Sequence, residues 1–429
     1  MQLVIWTVAI LALAAGQEPP ALPSPLTLSE AMRIFRERGF DLLISQQQVE
    51  SAQSDLETAG AIANPQISGA LGKSFDYDPA ACAGCSALQT SVGISDQGAL
   101  FDLLVNKRGL RKDAASAALE AARLSRTDAQ RTLEFQLKQQ FLQAALAAEQ
   151  ARFARDLMES TAKTRELMER RFGAGANSEA DLAKTQVAEL EAAQQLDQAQ
   201  AQLASAKAAV AFLLGSPGPA PQLELDTSSL AFRPGAVQAK NFDELYADAL
   251  QARPDLKALE SQIQRAESAL ALARRQRFPD VQLSASYTQE GTGNSALTPP
   301  TLTFGASLPL PIFYQQQGEV RKAESDLRTQ TLQRAKTRAQ VAQDVSQAFA
   351  AWQGGQKLVT RMSDRLLERA QKARDLARVQ YEKGASSLLE LLDAERTYIS
   401  VHTEYVQDLS IYWTAVAQLE QAVGKELRQ

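Results

Sequence analysis

The chain has 429 residues, 45 Lys and Arg against 50 Asp and Glu for a net charge of −5, and only 6% aromatic residues. That balance gives no electrostatic case for nucleic acid. One histidine and two cysteines cannot furnish a buried multi-ligand metal centre or a catalytic triad, so no metal, no cofactor and no enzyme activity are expected.

Leu3 to Ala15 is an apolar run followed by small residues and a Pro-rich stretch, Pro19 to Pro25. It is too short to span a membrane as a helix but suits a signal-peptide core, so residues 1–16 are expected to direct export, although no Lys or Arg precedes the run. A buried strand or a disordered tail is the alternative. No cysteine follows the run to offer a lipid anchor. No later stretch is long and apolar enough for a membrane helix, which leaves a periplasmic, secreted or β-barrel protein.

The remainder reads as one unit used twice, 17–215 and 240–424, joined by a Pro-rich, aperiodic linker at 216–239. Leu26–Pro65 lies over Lys240–Pro279, with Leu28 on Phe242, Val49 on Ile263 and Pro65 on Pro279. Phe172–Gln186 lies over Tyr381–Glu395, with Gly175 on Gly384 and Asp181 on Glu390. Each repeat is expected to run helix, two strands, one very long helix, a Gly turn and a returning helix. The fold class is therefore mainly α with a small β part.

The strands are expected at Gln66–Phe75, Leu88–Ser95, Val281–Thr288 and Leu302–Leu308, as hairpins over 66–95 and 281–308. Apolar residues alternate in all four (Ile67, Leu71, Phe75; Val92, Ile94; Leu283, Ala285, Tyr287; Leu302, Phe304), as a sheet with one apolar and one polar face requires. Each is about as long as a transmembrane strand. Isolated hairpins are marginal, and four strands cannot close a barrel, because barrels start at about eight. Either these are soluble hairpins packed on helices or several chains pool them, and pooling is the favoured reading.

From Lys107 to Arg171 and from Glu319 to Lys383 there is no proline, room for two helices of roughly 95 Å. Apolar residues step by threes and fours through Leu196, Ala199, Leu203, Ala206 and Val210, and again through Leu391, Ala394, Tyr398 and Val401. These are coiled-coil seams, with small Ala knobs allowing close approach. A soluble rod would explain the seams but not the export signal or the strands.

Three segments, FPDVQLSASY (Phe278–Tyr287), TFGASLPLPIFYQQQGEVRKAE (Thr303–Glu324) and YEKGASSLLELLDAERTY (Tyr381–Tyr398), resemble the TolC-like outer-membrane efflux proteins. The resemblance spans nearly the whole chain beyond the export signal, and the last two segments are most similar to the cation-efflux branch of CzcC-like and CusC-like proteins. It implies a homotrimer in outer-membrane lipid that pools four strands per chain into a twelve-stranded barrel. It also implies a periplasmic helical tunnel met by a periplasmic adaptor (membrane fusion) protein and an inner-membrane pump of the RND type. The function so implied is a passive outer-membrane export duct, with heavy-metal cations as a candidate cargo. An outlet for protein secretion and a pore-free coiled-coil scaffold are the alternatives.

Gly175 and Gly384, in turns near 173–178 and 383–387, suit sharp helix reversals because Gly tolerates positive φ. As residues alone they are ordinary hairpin turns; the resemblance makes them adaptor-docking tips. Glu390 and Asp393 are three apart on one helix and share a face. On composition alone they are first-turn carboxylates favoured by the helix dipole. The resemblance makes them an acidic ring at the periplasmic gate, favouring cations in a narrow passage. Tyr381 also matches a gate position. Ser386 stands where some relatives carry an Arg, so Asp181, the equivalent first-repeat carboxylate, lacks that partner. Cys82 and Cys85 are read as a loop disulfide in an oxidising compartment, since two thiolates cannot complete a metal site. His402 is read as a surface side chain.

Overall fold

The structure is a computed structural model that describes residues 23–75, 78, 80, 86–216, 223–227, 232, 241–290 and 299–427. Cys82 and Cys85 lie outside the described residues, as do residues 1–16. The helices are α1 (Leu28–Arg38), α2 (Phe40–Gly60), α3 (Ala99–Leu104), α4 (Lys107–Gly173), α5 (Glu179–Leu213), α6 (Phe242–Ala252), α7 (Pro254–Arg275), α8 (Gln317–Arg361), α9 (Leu367–Glu382) and α10 (Leu388–Val423). The strands are β1 (Gln66–Lys73), β2 (Leu88–Ser95), β3 (Gln282–Glu290) and β4 (Thr301–Ser307). The chain forms two compact units, one of 1–44, 129–253 and 340–429 and one of 45–128 and 254–339.

The unit of 45–128 and 254–339 carries a four-stranded antiparallel sheet in the order β1-β2-β3-β4. Its register aligns Ile67 with Ile94, Val92 with Tyr287, and Ala285 with Phe304. Alternation therefore puts Ile67, Leu71, Val92, Ile94, Tyr287 and Phe304 on one face. The opposite face holds Ser68, Ser91, Ser95, Ser286 and Thr303. The apolar face is bare: Leu71 is 86% exposed and Phe304 78%. The strand ends differ from expectation by one or two residues, β1 stopping at Lys73 rather than Phe75 and β3 running on to Glu290.

The handover from strand to helix is anchored by two side chains. Lys107, buried at the start of α4, donates from Nζ to the Phe278 carbonyl at 2.6 Å and to Asp280 Oδ1 at 2.8 Å. Asp96 accepts the N–H groups of Leu283 at 2.8 Å and Gly98 at 3.0 Å. Leu270 and Ala273 of α7 pack with Val320 of α8. No helix among the described residues is long and apolar enough to cross a membrane.

In the other unit, α1 begins with a capping box. Thr27 Oγ1 accepts the Glu30 N–H at 3.2 Å and the Glu30 carboxylate accepts the Thr27 N–H at 3.1 Å, satisfying two donors that a helix start leaves free. Coiled-coil seams join its long helices. Ala151 and Ala154 of α4 pack with Ala199, Leu196 and Leu203 of α5, the seam that the heptad spacing predicts. Met362, Ala370 and Val401 form another, joined by Tyr398 and Tyr405.

The second long helix is not the unbroken element expected. A π turn at Met362–Leu366 separates α8 from α9. The seam explains it: Met362 and Ala370 share one cluster yet stand a heptad plus one residue apart. The wider turn absorbs the surplus residue and keeps both on the same side.

Candidate functional site at the two helical tips

The two Gly turns are built alike. Gly175 has φ +71° and Gly384 φ +75°. Each closes a Schellman motif: the Ala176 N–H reaches the Arg171 carbonyl at 2.9 Å, and the Ala385 N–H reaches the Gln380 carbonyl at 2.8 Å. A Cβ at either position would meet nothing within 4 Å, so the backbone conformation alone demands glycine there.

Serine then starts each returning helix. Ser178 Oγ accepts the Asp181 N–H at 3.2 Å, and Ser387 Oγ accepts the Glu390 N–H at 3.3 Å. Glu390 completes a capping box by accepting the Ser387 N–H at 3.3 Å. Asp181 accepts the Ser178 hydroxyl at 2.8 Å and lies 3.4 Å from Lys184 Nζ, and these contacts hold its carboxyl below the usual range. Asp181 and Glu390 thus occupy equivalent N3 positions, and both are engaged with the serine that caps the start of their own helix.

Asp393 is exposed, one turn beyond Glu390. It lines a largely apolar groove of about 620 Å³ framed by α4, α5 and α10, with Lys184, Glu191 and Arg396 also on its walls. Glu395, in the same groove, is buried, and that burial raises its carboxyl pKa against the opposing pull of Arg378 and Arg374.

Tyr381 is buried, packed with Met168, Leu388 and Leu391, and its hydroxyl donates to the Met168 sulfur. What holds its helix end is a residue that the sequence reading missed. Arg171, the last but two of α4, donates from Nη2 to the Glu382 carbonyl at 3.0 Å and to the Tyr381 carbonyl at 3.4 Å. Its guanidinium also sits 5.1 Å from the Tyr381 ring centroid. A cation at a helix C-terminus complements the dipole and satisfies carbonyls that the helix leaves free. Ser386, in the turn, makes a 3.5 Å contact to the Ala377 carbonyl of the preceding helix, and Arg171 brings basic charge to this tip from the other hairpin. The available signal was the pair Arg170–Arg171 immediately before Phe172, the residue aligned with Tyr381.

His402 corrects the surface reading. It is half-buried and stacked on Phe153, with ring centroids 3.8 Å apart and planes 4° from parallel. Burial lowers its imidazole pKa; Glu149 pulls the other way and Arg152 adds to the lowering. Among the described residues, no group of three or more His, Cys, Asp or Glu side chains could hold a metal ion.

Long paired helices and a small sheet with one bare apolar face define a mainly helical protein whose sheet presents a surface suited to an apolar environment. Comparison gives the family. The outer membrane efflux protein model matches residues 33–216 and 245–425, so the chain belongs to that family. The cobalt-zinc-cadmium resistance protein CzcC of Cupriavidus metallidurans is 23% identical over 410 residues, covering 95% of this chain and 92% of that one. The pyoverdine export outer membrane protein OpmQ of Pseudomonas aeruginosa is 27% identical over 400 residues, covering 90% and 81%. Among solved structures, CusC superposes with a TM-score of 0.73 at 20% identity over 93% of this chain and 92% of that one. VceC of Vibrio cholerae gives 0.70 at 20% identity over 94% and 97%. The mainly helical fold with its small sheet is that of the TolC-like channels, and the protein is an outer-membrane efflux channel extending into the periplasm.

Proposed function

We propose that three copies of this chain assemble into one duct, a twelve-stranded barrel in the outer membrane continued by a periplasmic helical tunnel. The sheet carries this reading. Its strands alternate in direction from β1 to β4, so the open edges at β1 and β4 are antiparallel to one another. β4 of one copy can therefore pair with β1 of the next, removing the edges that an open sheet leaves unsatisfied. The result is an even-stranded barrel within the observed size range. The bare apolar face then meets lipid and the Ser/Thr face lines the lumen.

The two repeats, 17–215 and 240–424, each supply one strand pair and one helical hairpin, with residues 1–16 as the export signal. The tips at Gly175 and Gly384 dock a periplasmic adaptor, which connects to an energised inner-membrane pump of the RND type. The duct itself is passive and performs no catalysis. Glu390 and Asp393, with Asp181 and Tyr381 beside them, form the periplasmic gate. Repeated around a threefold axis, the carboxylates favour cations by Coulomb attraction in a narrow passage.

Heavy-metal cations are the cargo that this acidic gate and the similarity to CzcC support. Cells lacking the protein should accumulate cobalt, zinc or cadmium and lose resistance to them, with rescue by the wild-type chain. Accumulation of a secreted organic chelator instead would favour a cargo like that of OpmQ. Recovery of the protein from aqueous fractions only would overturn the duct itself.

A further inference from the structure

Where the strands hand over to helices, the chain exposes apolar side chains that the sheet does not account for. Immediately after β2, the short helix α3 presents Leu100, Leu103 and Leu104, the last 81% exposed. Immediately after β4, Leu310, Ile312, Phe313 and Tyr314 are exposed, with Phe313 at 97%. An aqueous surface rarely keeps such a concentration of large apolar groups without an occupant.

The pattern after β4 says which occupant. The even positions Leu302, Phe304, Ala306, Leu308, Leu310 and Ile312 are all apolar, whereas Thr301, Thr303, Gly305, Ser307, Pro309 and Pro311 alternate with them. The apolar row of the sheet thus continues past the last ladder bond into the connecting segment. That segment also needs little water. Pro309 and Pro311 have no N–H to satisfy, and the Ile312 N–H is closed on the Leu310 carbonyl at 2.9 Å.

Charge gives a second and independent pointer. Arg277 lines one cleft of about 560 Å³ with Pro309, Leu310 and Pro311. Arg277 and its neighbour Arg275 are exposed and make no ion pair among the described residues. Nearby, the Lys107 ammonium is consumed by Phe278 and Asp280. Exposed guanidinium groups beside exposed Leu and Phe match the boundary between phosphate headgroups and acyl chains.

We propose that α3 and residues 308–314 form an interfacial collar seated in the periplasmic leaflet of the outer membrane. Leu104, Leu310, Ile312 and Phe313 enter the acyl boundary while Arg275 and Arg277 face phospholipid phosphate. The collar fixes how deep the barrel sits. This rests on the reading of the apolar sheet face as lipid-facing, and it extends the contact beyond the strands.

The test uses full-length trimer with Cys82→Ser and Cys85→Ser, carrying one added cysteine labelled with a nitrobenzoxadiazole dye. The positions are Phe313→Cys, Leu104→Cys, Phe304→Cys on the apolar face and Ser286→Cys on the polar face. Each is reconstituted in phosphatidylethanolamine–phosphatidylglycerol vesicles containing phospholipid spin-labelled near the headgroup. The collar predicts that labels at 313 and 104 lose roughly half or more of their emission to spin-labelled lipid and resist aqueous iodide, while the label at 286 does the reverse. Quenching at 304 without quenching at 313 and 104 overturns the collar and leaves the barrel standing. Labels at 313 and 104 shielded from both quenchers mean that a second copy covers them, and strong iodide quenching means water does; either result overturns the proposal. Absence of lipid quenching at 304 removes the barrel reading and the collar with it. Should the Phe313 variant fail to assemble, the Leu104 position decides alone.

Discussion

Replacing Arg171 with Ala should loosen the second tip without unfolding the protein. The side chain donates to the Glu382 carbonyl at 3.0 Å, a charged hydrogen bond worth about 1.5 kcal/mol at the low end suited to a partly exposed group. Its 3.4 and 3.5 Å approaches to the Tyr381 carbonyl lie near the limit of useful geometry and add little. The guanidinium over the Tyr381 ring at 5.1 Å contributes about 0.5 kcal/mol. Losing about 2 kcal/mol of local coupling corresponds to roughly a 30-fold rise in the opening equilibrium of the tip. The amides to follow are Gly384 and Ala385, whose N–H groups bond the Tyr381 and Gln380 carbonyls. Hydrogen exchange across 381–388 in the assembled protein should accelerate by about that factor while exchange in the α4–α5 seam stays unchanged. Arg171→Lys, which keeps the charge but loses the planar fork, should fall between. Acceleration below about threefold would show that the tip is held by packing around Tyr381 and Met168 alone.

Three further variants test the returning helix α10. Burial raises the Glu395 carboxyl pKa, so the folded state binds its proton more readily than the unfolded chain, and stability falls as pH rises from the unfolded value through the folded one. Glu395→Gln should therefore raise Tm at pH 8 relative to pH 5, and an unchanged pH profile contradicts that. His402 titrates in the opposite sense. Its imidazole pKa is lowered by burial, so the stability it confers is lost as pH drops below about 6.5; His402→Phe, which preserves stacking on Phe153, should narrow the gap in Tm between pH 7.5 and pH 5. Glu390→Gln with Asp393→Asn should lower cation-over-anion permeability in planar bilayers by about twofold or more while leaving assembly intact. The amide of Gln can still accept the Ser387 N–H, whereas Ala would remove the capping box at about 1 kcal/mol. Unaltered selectivity would reduce both carboxylates to helix-start charges.

The sheet was legible because period-two alternation is a local property of the chain: Ile67, Val92, Tyr287 and Phe304 reach one face whatever surrounds them. The tips were legible for a similar reason, since Gly175 and Gly384 announce positive φ and the serines three residues on announce helix starts. Contacts between hairpins were not. Arg171 meets Glu382 across 211 positions of sequence, and His402 meets Phe153 only because α10 lies against α4 there. Such meetings depend on how two long helices are phased against each other, and a heptad count loses phase wherever a turn widens. The π turn at Met362–Leu366 is such a place, and only the eight-residue step from Met362 to Ala370 hints at it. The burial of Glu395 was not legible either, because it depends on α4 and α5 walling the groove.

The central claim, that three chains close one barrel through their free sheet edges, is tested most directly by disulfide cross-linking across β1 and β4. In a Cys82→Ser, Cys85→Ser background, a panel of chains would each carry one added cysteine in Gln66–Lys73 and one in Thr301–Ser307, matched for the face they occupy. Because the edges of one sheet are separated by β2 and β3, any bond between them joins neighbouring copies. Oxidation in outer membranes should yield dimer and then trimer on denaturing gels, with nothing larger, as closure at three requires. A monomer at every position of the panel, or a ladder that climbs beyond the trimer, would contradict the account.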